Sequence, residues 1–259
     1  MDLGIKGRKA IVCASSQGLG LACATSLARE GCTVFINGRD ESRLQTAVTE
    51  IEAATGVRTI PVVADINTEA GRAQLIAACA EPDILVNNNA GPPPGELADW
   101  DRTAWLAALE ANMLAPILLI RAVLPGMRQR RFGRIVNVTS AMVKSPRAHM
   151  GLSTAARTGL TALCKSLVPE VAKDNVTINN LLPERIDTGR QRFLAERMMK
   201  TEQITYEEAR ARIVDTIAAK RFGRPQEFGD ACAFLCSEQA SFISGQNLQL
   251  DGGSYRGLI

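Results

Sequence analysis

Ala10-Ile11-Val12-Cys13-Ala14-Ser15-Ser16-Gln17-Gly18-Leu19-Gly20 decides the fold. A short run rich in β-formers, Ala10 to Ala14, stops at small residues, and from Leu19 to Glu30 apolar residues recur at three- and four-residue spacing. A strand, a glycine-bearing turn and a helix therefore follow one another directly. Gly18 and Gly20 allow a backbone to approach the amino terminus of that helix, where free N–H groups and the helix dipole favour a pyrophosphate.

The same alternation continues outward from this unit. β-rich runs at Thr33–Asn37, Thr59–Ala64, Ile84–Asn88, Arg134–Thr139, Val176–Leu181 and Asn247–Leu250 bring the strands to seven. Between them lie helical patterns at Arg43–Ala54, Glu69–Ala80, Thr103–Met127 and Leu152–Lys173. Alternating strands and helices call for parallel pairing through right-handed crossovers, so the expected class is α/β, a doubly wound, Rossmann-like parallel sheet with helices on both faces. No linker, repeat or low-complexity block divides residues 1–259, and one domain is expected. Pro92-Pro93-Pro94-Gly95 reads as a stiff loop, and Pro169 is expected to kink its helix.

Composition narrows the function classes. With 259 residues, 46% hydrophobic and 22% charged, the chain can bury a large core, and disorder is excluded. A net charge of +3 argues against a nucleic-acid or membrane-surface partner. The local excess Arg128, Arg130, Arg131, Arg134 reads as a solvated loop. No apolar run of signal-peptide length precedes the first strand, and Met113–Ile120, stopped by Arg121, is far short of a membrane span of roughly 20 residues. Cys13, Cys23, Cys32, Cys79, Cys164, Cys232 and Cys236 form no CxxC pair and read as reduced, buried side chains of a cytoplasmic protein. His149 is the sole histidine, so no metal site and no histidine-based nucleophile triad is expected.

The end of the second strand discriminates between cofactors. NAD sites place an acid there for the ribose hydroxyls, whereas this chain has Asn37-Gly38-Arg39, a cation suited to the 2′-phosphate of NADP. The neighbouring Asp40 keeps NAD open.

These motifs together resemble the short-chain dehydrogenase/reductase family, of the oxoacyl-carrier-protein-reductase kind, over the whole chain. The resemblance rests on the turn Ala14–Gly20, Asp65-Ile66, Asn88-Asn89-Ala90-Gly91, Asn112, Gly133–Ser140, and the tail from Arg221-Phe222-Gly223-Arg224-Pro225 through Ser244-Gly245-Gln246 to Asp251-Gly252-Gly253. It implies that Ser15, Ser16, Gln17, Gly18, Leu19 and Gly20 cradle the diphosphate. Asp65 and Ile66 would flank the adenine, and Asn89, Ala90 and Gly91 would support the sheet beside the cofactor. Pro183, Ile186 and Thr188 would hold the nicotinamide amide. It also implies a homodimer or homotetramer, a small carbonyl or alcohol substrate, and a variable substrate segment at about 190–220.

The family's tyrosine and lysine, four residues apart on one helix face, pass the proton while the nicotinamide passes a hydride. Here that motif reads Ser153-Thr154-Ala155-Ala156-Arg157. Arg157 keeps the charge, with a planar fork in place of a compact ammonium. The Ser153 hydroxyl lies roughly 4 Å nearer its Cα than a phenol oxygen, more than the about 3 Å reach of a hydrogen bond, so a bridging water would be needed. Loss of a general acid is worth about 10²–10⁴ in rate. Lys144 and His149 are nearby substitutes, and Tyr206 is a more distant one; Tyr255 is the other tyrosine. Glu184 stands where the family has glycine, with Arg185 after it.

The leading expectation is an NADP(H)-preferring oxidoreductase with an atypical site. In it Ser140 binds the substrate oxygen, Asn112 supports a water relay, Arg157 holds the ribose, and Ser153 fills the acid's place. A nucleotide-binding regulatory subunit without turnover is the first alternative, and a non-redox lyase on the same scaffold is the second.

Overall fold

The computed structural model describes residues 2–258. Seven parallel strands form one sheet: β1 (Lys9–Val12), β2 (Thr33–Gly38), β3 (Ile60–Val63), β4 (Ile84–Asn87), β5 (Gly133–Val138), β6 (Val176–Pro183) and β7 (Asn247–Leu250). Their order is β3-β2-β1-β4-β5-β6-β7. The central strands are buried on both faces, which is why they read as near-continuous apolar runs. Strand positions agree with the sequence reading to within two residues at every end.

Two apolar layers flank the sheet. On one face Leu27 of α1 (Gly18–Arg29), Ile51 of α2 (Glu41–Thr55) and Phe228 of a helix at Pro225–Leu235 share a cluster with Val12, Ile36 and Val136. On the other, Leu75 of α3 (Glu69–Ala78) packs with residues of the two long helices described next, against Ile11, Leu85, Ile135 and Ile178.

The helical pattern at Thr103–Met127 is three segments in continuous succession. These are α4 (Arg102–Leu109), a π-helical turn at Glu110–Leu114 and α5 (Ala115–Gln129). Pro116 falls where the π-helical turn passes into α5, an interruption of the regular i→i−4 ladder. Arg102–Gln129 is therefore long and apolar enough to cross a membrane by length and composition, contrary to the sequence reading, which saw only Met113–Ile120. Its Leu119, Ile120, Val123 and Met127 are spent inside the sheet core.

α6 (Gly151–Val171) continues through Pro169 with no unwound turn. The proline lies in the last turn at an exposed position, so the one carbonyl that loses its partner faces solvent. The arginine run is not a solvated loop. Arg128 pairs with Glu170 at 2.6 Å and Asp174 at 2.8 Å, and Arg134 is fully buried, donating to the Ser237 and Asn175 carbonyls at 3.1 and 2.9 Å. It ties the start of β5 to neighbouring turns.

The segment at about 190–220 folds as α7 (Gly189–Glu202) and α8 (Tyr206–Asp215), followed by α9 (Pro225–Leu235). α7 and α8 share a small apolar cluster of Ala195, Ala209 and Ile213.

One polar row crosses this interior. Asn87 donates to the Asn137 side chain at 2.9 Å, Asn137 to Asn180 at 3.0 Å, and Asn180 to Asn247 at 2.8 Å. The four residues are direct neighbours across β4, β5, β6 and β7.

Candidate functional site

Between β1 and β4 the chain reverses its direction of travel across the sheet, and a cleft opens beyond the carboxyl ends of the strands at that point. It is a cavity of ≈ 1030 Å³. The β1–α1 turn forms its floor. Gly18 has φ +61°, and a Cβ at Gly20 would lie 2.4 Å from the Ala14 carbonyl oxygen, so turn and helix can close only on glycine. Ala14 itself has φ +44° in the same left-handed region. Gln17, at the amino end of α1, makes no side-chain cap, whereas Asp40, Thr68 and Asp101 cap α2, α3 and α4. The first N–H groups of α1 are thus left for a ligand.

Ser16, Gln17, Gly18 and Leu19 line the cleft; Ser15 and Gly20 do not. Ser15 is fully buried, its hydroxyl donating to the Val12 carbonyl at 2.7 Å and accepting from the Asn37 N–H at 2.9 Å. It secures the turn to β2, and Gly20 serves close packing.

Beyond β2, Arg39, Arg43, Asp65 and Ile66 line the same cleft. Asp40 caps α2 by accepting from the Arg43 N–H at 3.0 Å, and its other oxygen lies 3.6 Å from the Arg43 Nε. Its carboxylate is already engaged. Asp65 accepts from the Asn67 N–H, and Asn67 accepts from the Asn89 side chain at 2.9 Å, which links this end to the loop after β4.

At the other end Ala90, Gly91, Ser140, Ser153, Arg157, Pro183, Ile186 and Thr188 join Asn89 on the cleft wall. Ser140, just after β5, accepts from the Met142 N–H at 3.2 Å and starts a short 3₁₀ turn. Ser153 and Arg157 lie one turn apart on α6, both buried. The Arg157 Nη1 donates to the Val138 carbonyl at 2.6 Å and the Thr139 carbonyl at 2.7 Å. Burial pulls its pKa down from 12.5 to about 10, and the positive charge of Arg190 acts in the same direction. It stays a cation at neutral pH.

Asn112 does not reach the cleft. It sits in the π-helical turn, donates to the Ala90 and Ala108 carbonyls at 3.3 and 3.4 Å, and lines a separate small cavity with Asn87 and Arg157. Among the described residues its Oδ1, the Asn87 Oδ1 and the Arg157 Nε have no partner.

Of the substitute proton donors, His149 lines the cleft. Lys144 does not; its Nζ lies 5.5 Å above the Tyr255 ring. Tyr206 packs in the α7–α8 cluster, with the Arg210 guanidinium 5.9 Å from its ring, and does not fold over the site. Glu184 pairs with Arg147 at 2.8 Å.

The sequence reading did not single out Arg43, Arg190 and Arg197, all of which line the cleft. Arg190, Leu194, Arg197 and Thr201 recur at helical spacing along one face of α7, a signal that could have found two of them.

Comparison with known proteins agrees with this architecture. A family model described as Enoyl-(Acyl carrier protein) reductase matches residues 13–255. The uncharacterized oxidoreductase YvaG of Bacillus subtilis is 32% identical over 264 residues, covering 100% of both chains. Dehydrogenase/reductase SDR family member 4 of Bos taurus is 33% identical over 255 residues, covering 96% of this chain and 88% of that protein. The crystal structure of L-sorbose reductase from Gluconobacter frateurii, complexed with NADPH and L-sorbose, superposes with a TM-score of 0.93 at 30% identity over 100% of both chains. With the sheet order, the switch-point cleft and these matches in agreement, the chain belongs to the short-chain dehydrogenase/reductase family.

Proposed function

We propose that this chain is an NADPH-dependent oxidoreductase that reduces a carbonyl, or oxidises the matching alcohol, with Ser153 and Arg157 in place of the family's tyrosine and lysine. The observation that carries the reading is the single cleft shared by the glycine turn, Arg39, Ser140, Ser153 and Arg157. The L-sorbose reductase relative was solved with NADPH, and the residues here suit that cofactor. The uncapped amino terminus of α1 offers N–H groups to a diphosphate, Arg39 and Arg43 offer cations to a 2′-phosphate, and Asp40 is occupied as a cap. Asp65 and Ile66 would border the adenine, with Asn89, Ala90 and Gly91 beside the cofactor and Pro183, Ile186 and Thr188 at the carboxamide.

When bound, the cofactor supplies the hydride. The Ser140 hydroxyl donates to the substrate oxygen, and Arg157, buried without a carboxylate, stabilises the negative charge that develops there. Ser153 orients a water that delivers the proton, and His149, in the short turn before α6, is a second donor on the same wall. Asn112 holds the backbone behind Arg157. α7 and α8 form the substrate segment. The protein works in the cytoplasm as a homodimer or homotetramer; Phe242, fully exposed, and Leu248 on the edge strand β7 are apolar surface available to a second copy.

Titration of NADPH followed by its fluorescence tests the pocket, and NADPH consumption over ketones, quinones and oxoacyl thioesters tests turnover. Binding with turnover is expected. One observation favours a second reading, a nucleotide-binding subunit without turnover: the Arg157 guanidinium is tied to two carbonyls, which leaves less of it for ribose hydroxyls. Binding without consumption of NADPH across the panel would establish that reading instead.

A further inference from the structure

The two ends of the cleft carry separate sets of cations. Arg39 and Arg43 follow β2, whereas Arg190 and Arg197 belong to α7, which follows β6. Four strand spacings lie between β2 and β6, about 19 Å at the usual separation. One 2′-phosphate cannot engage both sets.

At the α7 end the positive charges are stacked against one another and not against acids. Burial lowers the pKa of Arg157 and of Arg190, and the charge of the next arginine, Arg190 for Arg157 and Arg197 for Arg190, adds to each in the same direction. Arg190 reaches across the cleft to the Pro92 carbonyl at 3.3 Å and Arg197 stands one turn pair further along the same helix face. The acids on this wall are engaged elsewhere. Glu184 pairs with Arg147 at 2.8 Å and Glu202 with Arg212 at 2.6 Å, while Glu96 and Asp99, on the exposed rim, cap each other's backbone N–H groups. Arg185, half-buried beside them with φ +58°, forms no ion pair among the described residues, although Glu184 is near enough to raise its pKa slightly against burial. Arg190 is half-buried and Arg197 exposed, so both guanidiniums stand on an open part of the cleft wall where an anion can reach them.

We propose that Arg190 and Arg197 bind an anionic group carried by the substrate, so that the carbonyl compound is an oxo acid or an oxo phosphate and not a neutral ketone. Guanidinium forks recognise either group by paired charge-assisted hydrogen bonds. The inference rests on reading the cleft as a carbonyl-reductase site. The anion would anchor one end of the substrate on α7 while the carbonyl meets Ser140.

Calorimetry on protein saturated with NADP⁺ tests this without requiring turnover. The probes are levulinate against methyl levulinate, and dihydroxyacetone phosphate against dihydroxyacetone. At least one anion is expected to bind tenfold or more tightly than its neutral counterpart, and which of them does so identifies carboxylate or phosphate. Arg190→Gln and Arg197→Gln are expected to abolish that preference, Arg197→Lys to retain most of it, and all three to keep the wild-type affinity for NADPH and the wild-type unfolding temperature. Equal binding of charged and neutral probes would overturn the proposal. So would a tenfold loss of NADPH affinity in the Arg190 and Arg197 variants, because those residues would then serve the cofactor. Failure of the wild-type protein to bind NADPH at all would instead sink the reductase reading, and the same anion pairs titrated into the free protein would still decide the anion site.

Discussion

The Arg157 Nη1 lies 2.6 Å from the Val138 carbonyl oxygen, close enough that the side chain bridges α6 to the end of β5 as well as facing the cleft. A lysine has no second nitrogen with which to do both. If the proton-handling pair is the only thing missing, Ser153→Tyr combined with Arg157→Lys should raise kcat for NADPH-dependent ketone reduction by about 10²–10⁴. The measurement is NADPH consumption by the double variant and by each single variant. No gain in the double variant would mean that the site has been reshaped around the arginine.

On the proposed reading, Arg39 sets the preference for the phosphorylated cofactor. Arg39→Asp should raise the Kd for NADPH by about 10- to 100-fold, the loss of a charge-assisted hydrogen bond, while leaving that for NADH unchanged or lower. Fluorescence titration of both nucleotides checks it, and parallel losses for the two would remove Arg39 from 2′-phosphate recognition.

Ala14 holds φ +44°, where an L side chain costs about 1–2 kcal/mol. Glycine forfeits about 0.5–1 kcal/mol of that through the freedom of its unfolded chain. Ala14→Gly should therefore stabilise the fold by up to about 1.5 kcal/mol, seen as a higher urea midpoint at unchanged slope. A lower midpoint would show that the methyl group contributes packing that outweighs its strain.

Glu227, in the first turn of α9, accepts from Arg221 at 2.8 Å and from the Arg224 N–H at 2.7 Å, and these bonds draw its pKa down to about 2 from 4.5. Between those values the folded chain binds fewer protons at this site than the unfolded chain does. Stability from this contact is complete above pH 4.5 and is lost as the pH falls toward 2. Glu227→Gln should flatten that part of the unfolding profile, measured by thermal melts from pH 5 to about 3, a window set by the same linkage.

The strands and the glycine turn were legible because period and turn chemistry are local: Ala10 to Gly20 specifies a strand, a turn and a helix start with no help from the rest of the chain. Ser16, Gly18, Arg39, Asp65, Ser140, Ser153 and Arg157 converge as expected because each lies just past a strand or on the adjoining helix. What sequence could not give was direction. Ser15 turns inward to Asn37, and Asn112 turns behind Arg157, since a π-helical turn rotates its residues away from the face that a regular helix of 3.6 residues per turn would present. Arg134 reads as a surface charge until the Ser237 carbonyl, more than a hundred positions away, is placed against it. The α7 arginines were hidden for a related reason: a polar helix face looks solvated until a cleft is known to lie beneath it.

The asparagine row across β4 to β7 bears on how the sheet avoids sliding. Strands greasy on both sides carry no in-out alternation, so a slip by one residue would bury nearly as much apolar surface as the native pairing. A misaligned amide in that interior would be stranded without a partner, at about 1–3 kcal/mol for each group. These four side chains act as alignment pins: their shared penalty makes one stagger of the central strands the cheapest, and with it fixes how far each strand projects toward the cleft.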